Sequence, residues 1–281
     1  MIEARELTHV YNEGTAMESV AFRDVSFTIE QGEYIGLIGH TGSGKSTLIQ
    51  HLNGLLKPTS GTVLYNGEDI FAPHYDLRRL RSKVGMVFQY PEYQLFEETV
   101  LKDVMFGPLN LGKSPEEAER MALEALRLVQ FPEASYLKSP FELSGGQKRR
   151  AAVAGVLSME PDVLILDEPA AGLDPKGREN ILETVNGLRK QKNITIILVS
   201  HSMDDVACYA DRIMAMDHGR LALFDTPEKV FTRIEELEAM GLSAPQPVYL
   251  ARDLIENGFE MDPATLDLQD AKEQILRNFG R

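Results

Sequence analysis

Polar and apolar positions alternate through Leu7–Tyr11 and Val25–Ile29, the period expected of strands with one buried face. These segments predict an opening β-layer. Tyr34–Ile38 is a short apolar strand that runs into a glycine-rich loop, and Ser46–Leu56 then spaces its apolar residues as a helix does. Ser114-Pro115-Glu116-Glu117 has the form of a helix N-cap with proline in the first turn. It introduces a periodicity at Met121, Leu123, Leu126 and Val129. From Val163 the pattern returns to strands, at Val163–Leu166, Thr195–Val199 and Arg212–Met216, with a helix near Arg178–Lys190 between the first two. Near-continuous apolar strands alternating with helices predict a mainly parallel sheet covered on both faces.

After Asp225 the character changes. Thr226-Pro227-Glu228 predicts a cap for a helix with Val230, Ile234 and Leu237 on one face and Gly241 at its end. Pro245-Gln246-Pro247 breaks the chain before amphipathic stretches around Leu250–Ile255 and Ala271–Phe279. Residues 226–281 therefore form a small helical appendage to a larger unit spanning 1–225.

Composition narrows the possibilities. The 281 residues suffice for one large domain or a main domain with a small one. Net charge is −14, which argues against nucleic-acid binding driven by bulk charge. The single cysteine, Cys208, excludes an internal disulfide and reads as a small packing residue suited to a reducing compartment. Acids at Glu3 and Glu6 do not fit an export signal, and no apolar run approaches the roughly 20 residues that span a bilayer.

The loop Gly39-His40-Thr41-Gly42-Ser43-Gly44-Lys45-Ser46 fits G-x-x-x-x-G-K-[ST] between a strand and a helix. Its backbone N–H groups can turn inward on phosphates, with the helix dipole favouring the anion. Lys45 is expected to reach the β- and γ-phosphates of ATP and Ser46 to coordinate Mg²⁺, with Thr47 adding a hydroxyl. His40 reads as a variable position of the loop. Asp167 and Glu168 end the strand Val163–Leu166, where open α/β sheets bind ligands. Asp167 is placed for the Mg²⁺ shell and Glu168 for activating water. Plain strand-end acids are the structural alternative.

The phosphate loop, Leu143-Ser144-Gly145-Gly146-Gln147 and Asp167-Glu168 together resemble the nucleotide-binding domain of ATP-binding cassette (ABC) proteins over residues 1–225. The resemblance implies a P-loop α/β fold with an N-terminal antiparallel layer and a helical subdomain at about residues 92–155. It also implies that Gln89 is the Q-loop glutamine touching Mg²⁺ and water, and that Gly172-Leu173-Asp174 is the D-loop. His201 becomes the switch histidine near the γ-phosphate, Tyr11 the aromatic that stacks on adenine, and Leu143–Gln147 a signature acting on ATP held by a second subunit. Arg149 and Arg150, just beyond the signature, read as solvated helix charges.

Gln89–Val100, His51–Leu56 and Phe106-Gly107-Pro108 are similar to segments of the ATPases of energy-coupling factor (ECF) importers. That similarity implies a pair of ATPase subunits, alike or different, on a transmembrane scaffold (T) subunit. A separate membrane S subunit would bind vitamins or transition-metal ions, and the appendage would serve dimerisation. The chain would then be peripheral on the cytoplasmic face of a prokaryotic cell membrane, without a nucleic-acid partner. Three alternatives stay open: the ATPase of a conventional ABC importer, a soluble ABC-type mechanoenzyme, and a regulatory nucleotide-binding module.

Overall fold

The computed structural model describes residues 1–279; Gly280 and Arg281, the end of the expected appendage, lie outside the described residues. Ten strands occupy Ile2–Tyr11 (β1), Ser19–Ile29 (β2), Tyr34–Gly39 (β3), Ser60–Tyr65 (β4), Glu68–Asp69 (β5), Val84–Val87 (β6), Val163–Asp167 (β7), Thr195–Val199 (β8), Arg212–Asp217 (β9) and Arg220–Asp225 (β10). They form two sheets, one four-stranded in the order β2-β1-β4-β5 and one six-stranded in the order β10-β9-β3-β8-β7-β6. The first is antiparallel, and the second is parallel except for β10. Every residue of β3, β6, β7 and β8 is buried, as strands covered on both faces must be.

One face of the six-stranded sheet packs on the antiparallel layer through residues such as Leu37, Ile165 and Ile197 against Leu7, Val25 and Ile29. The other face covers Leu164, Leu166, Ile196 and Leu198 with helices Val100–Asn110, Pro115–Leu128, Gly145–Leu157 and Pro175–Lys192. Ser114 and Glu117 form a reciprocal capping box, satisfying two otherwise orphaned donors of the Pro115 helix. Its buried stripe is Ala118, Met121, Ala122, Ala125 and Leu126, with Leu123 only partly covered.

Three expectations shift. The helix after the phosphate loop covers Lys45–Leu52 and stops before Leu56, because Gly54 takes φ +69° and its N–H turns back to the His51 carbonyl. The single helix expected after Thr226 is two, Pro227–Phe231 and Ile234–Ala239, and Thr226 makes no side-chain cap bond. Val230, Phe231, Ile234 and Leu237 still share one core with Ile213, Ala215 and Leu223, so apolar burial persists across the break. Cys208 is exposed rather than packed, because Met203 and Val206 take the inner face of the short helix Met203–Tyr209.

Parallel pairing aligns the strand ends that matter. Leu37 and Asp167 both pair with Val199, and Val87 pairs with Leu166. Gly39, Gln89, Asp167-Glu168 and His201 consequently emerge at one edge of the sheet, the carboxyl end where open α/β sheets bind ligands.

Candidate functional site: a phosphate loop beside a clamped carboxylate

At the end of β3 the loop folds back on itself. The Lys45 ammonium, 6% exposed, donates to the carbonyls of Gly39 at 2.7 Å and His40 at 2.9 Å. Burial pushes the Lys45 ammonium below its usual range, while Glu168 and Asp167 pull it back up. Gly44 has φ +101°, and a Cβ there would stand 2.6 Å from the Ala21 carbonyl oxygen, so the loop closes against β2 only with glycine. Among the described residues the buried Ser43 hydroxyl has no hydrogen-bond partner.

The strand-end acids are placed differently from each other. Asp167 is buried at the end of β7; burial and then Glu168 raise its carboxyl, while Lys45 and a hydrogen bond from Ser46 hold it down. Glu168 turns outward with φ +50°, a conformation costing about 1–3 kcal/mol in a non-glycine residue. Its carboxylate accepts from Gln89 Nε2 at 2.9 Å and lies 2.8 Å from His201 Nε2. Strands β6, β7 and β8 thus each send one group to a single point. Tyr11, exposed at the end of β1, reaches the same loop with its hydroxyl 3.1 Å from Thr47 Oγ1.

Beneath this loop lies a pair of histidines that the sequence did not single out for chemistry. His51 Nδ1 is 2.7 Å from the Thr47 carbonyl, and Nε2 is 3.1 Å from His9 Nδ1. Burial drives the His51 imidazole down to about 4, so it is neutral in the fold at pH 7. The unfolded chain, with an ordinary value near 6.5, binds a proton that the folded chain refuses between about pH 6.5 and 4. Stability from this group is complete above that window and falls as pH drops through it, by about 3 kcal/mol in all. Denaturant unfolding at pH 7 and 4.5 should show the loss, and His51→Gln should flatten it.

A family model described as ABC transporter matches residues 22–171. The energy-coupling factor transporter ATP-binding protein EcfA2 of Clostridium tetani is 53% identical over 99% of this chain and 97% of its own length. That of Caldanaerobacter subterraneus is 52% identical over 98% of this chain and 96% of its own. The chain belongs to the ABC transporter family, among the energy-coupling factor ATP-binding proteins. Among solved structures it is similar to CbiO1 of Clostridium perfringens, part of the ABC transporter complex CbiONQ. That match has TM-score 0.75 and 39% identity, and covers 85% of this chain and 94% of that one. A dimeric ATP-binding cassette in a post-hydrolysis state, bound to ADP and Pi, matches with TM-score 0.72 and 28% identity, covering 81% and 99%.

In this ABC cassette none of Gly39–Thr47 lines the cleft on which Ser144 and Gln147 open. Ser144 caps the helix Gly145–Leu157 by accepting from Gln147 N–H, and Gln147 Oε1 accepts from Ser144 N–H in return. Ser144, Gly146 and Gln147 line a cleft of about 540 Å³ with Leu173 and Asp174. Asp174 caps the helix Pro175–Lys192 by accepting from Gly177 N–H at 2.6 Å. The predicted residues therefore fall into two groups: Gly39–Thr47 with Gln89, Asp167, Glu168 and His201, and Ser144–Gln147 with Asp174.

Arg149 corrects the expectation of a solvated charge. It is 3% exposed and makes a two-pronged pair with Glu92, Nη2 to Oε1 at 2.8 Å and Nε to Oε2 at 3.2 Å. Its remaining Nη1 donates to the carbonyls of Pro169 at 3.1 Å and Ala171 at 2.6 Å. One guanidinium thus joins the signature helix, the segment after Gln89 and the loop after Glu168. No single-sequence signal links Glu92 to Arg149; only the fold brings them together. Arg150 is half-buried and also lines the signature cleft. Arg149→Ala should cost about 3 kcal/mol of stability by stranding Glu92 and two carbonyls. Arg149→Lys should rescue it poorly, since an ammonium cannot supply the planar fork. Denaturant midpoints of the two variants check this.

Proposed function

We propose that this ABC ATPase binds ATP on Gly39–Thr47 and hydrolyses it with Glu168 as the base that activates water. The carrying observation is the Glu168 carboxylate held between Gln89 and His201, one residue from buried Asp167 and facing the loop of Lys45. Two neighbours fix the carboxylate's direction, which suits a group that must orient a water before taking its proton. Lys45 and the loop N–H groups hold the β- and γ-phosphates, Tyr11 stacks on the base, and His201 senses the γ-phosphate. Positioning and charge stabilisation carry phosphoryl transfer, so these residues need no covalent step.

The hydroxyl of Ser46, the carboxylate of Asp167 and the amide oxygen of Gln89 are hard oxygen donors of the kind Mg²⁺ takes. A cation beside Asp167 would offset the burial that pushes its carboxyl up. Bound there, Mg²⁺ supplies charge neutralisation at the β- and γ-phosphates. Ser144–Gln147 and Asp174 act on ATP held by a second ATPase subunit, identical or paralogous, and the cleft that Ser144, Gln147 and Asp174 line without any residue of Gly39–Thr47 supports that reading.

Residues 1–225 are the ATPase domain, with its helical subdomain at about 92–155, and residues 226–281 are the dimerisation region. Leu250, Ile255, Leu268 and Leu276 are all exposed on its helices, apolar surface that a second subunit would cover. Hydrolysis powers an ECF-type importer for vitamins or transition-metal ions. Among the described residues no helix is long and apolar enough to cross a membrane. The chain docks on a T subunit and meets the S subunit through it. Exposed Phe96 and Phe106, which line a groove of about 390 Å³, and exposed Tyr93, next in the chain to its lining residue Gln94, support that docking on the cytoplasmic face of the membrane. Purification from membranes should bring a scaffold protein and a small substrate-binding membrane protein. Recovery with an external binding protein and no S subunit would indicate a conventional importer instead.

A further inference from the structure

His40, Asp217 and His218 each present a ligand atom, all within 4.8 Å of one another. His40 belongs to the phosphate loop, whereas Asp217 and His218 end β9 and begin the tight turn into β10. His218 has φ +42° and Gly219 φ +75°, the paired left-handed conformation of a two-residue hairpin turn. The turn is anchored on both sides: Gly219 N–H donates to the Ser43 carbonyl at 3.2 Å, and its carbonyl accepts from Arg23 N–H at 2.8 Å.

Atom by atom, the cluster has the form of a cation cage. His40 Nδ1 is 2.9 Å from the Thr41 carbonyl, so that nitrogen carries a hydrogen and leaves the Nε2 lone pair facing the turn, 3.4 Å from Asp217 Oδ1 and accepting a long 3.4 Å hydrogen bond from His218 N–H that an ion would displace. A backbone carbonyl holding one ring nitrogen while the other faces a ligand is the usual support of a metal-bound histidine. Asp217 Oδ1 is buried and has no hydrogen-bond partner among the described residues. His218 Nε2 lies 3.8 Å from the same oxygen, and its side chain is 83% exposed and free to adjust. Bond lengths near 2.0–2.2 Å place neighbouring ligand atoms of a tetrahedral site about 3.3–3.6 Å apart, so small movements of His218 close the set.

We propose that His40, Asp217 and His218 bind a borderline divalent transition-metal ion of the zinc, cobalt or nickel class, leaving a coordination position open. Two imidazoles and one carboxylate select such ions over Mg²⁺. The bound ion ties the phosphate loop directly to the β9–β10 turn, at a place distinct from the cluster of Asp167, Glu168 and His201.

Titration of the untagged full-length chain with CoCl₂, followed by visible absorption without nucleotide, tests this. One equivalent should bind with ligand-field bands that excess MgCl₂ leaves unchanged. His218→Ala and Asp217→Asn should each weaken Co²⁺ binding at least tenfold, whereas His201→Ala should retain it. Absence of bands, wild-type affinity in His218→Ala, or loss in His201→Ala instead would overturn the assignment; the last result would place the ion among the hydrolytic residues.

Discussion

Glu168→Gln is expected to cut ATP turnover by about 10²–10⁴-fold while leaving nucleotide affinity nearly unchanged. The substitution keeps the size of the side chain but removes its basicity. Gln89 Nε2 and His201 Nε2 now face two carboxylate oxygens, and an amide offers only one acceptor, so one arm of the clamp is lost as well. ATP should still be held, because the phosphate contacts proposed for Lys45 and the loop do not use Glu168. Equilibrium nucleotide binding and single-turnover phosphate release, measured on the same preparation, separate the two effects. Turnover near the wild-type rate would remove Glu168 from the role of base.

Much of this site was legible along the chain because each part is local. The phosphate loop carries its own strand, glycines and helix, and Asp167-Glu168 follow an apolar strand whose end the parallel sheet must bring beside Gly39. The clamp was less legible. Gln89, Glu168 and His201 sit on three strands, and the 2.8 and 2.9 Å contacts depend on their register. The left-handed backbone of Glu168 had no local signal either, since a residue before proline ordinarily prefers extended conformations. Arg149 was misread because spacing along a helix identifies a face and not what covers it. Here Glu92 and the carbonyls of Pro169 and Ala171 close over it. The helix after Thr226 was misjudged for a related reason: its apolar spacing is set by a shared core with β9 and β10, which tolerates a break at Thr232-Arg233.

Ser144→Arg should have its main effect away from its own chain's phosphate loop. Ser144 is exposed at the start of the helix Gly145–Leu157, beside Gly145 and Gly146, where helix N–H groups and dipole favour an anion. In the proposed dimer that anion is the γ-phosphate held by the other subunit, and a long arginine side chain there would block closure. Loss of the cap itself costs about 1 kcal/mol and leaves the fold intact. Ser144→Asp, which keeps a capping oxygen but sets a carboxylate against the phosphate, should impair the same site.

The central claim is that this chain contributes two half-sites, one built on Lys45 and Glu168 and one on Ser144–Gln147, to two different ATP molecules. The direct measurement is nucleotide trapping in a dimer where only this subunit carries Ser144→Arg and the two phosphate loops are distinguishable. Trapping should fail at the other subunit's loop and persist at Lys45. Equal failure at both loops, or failure confined to Lys45, would contradict it.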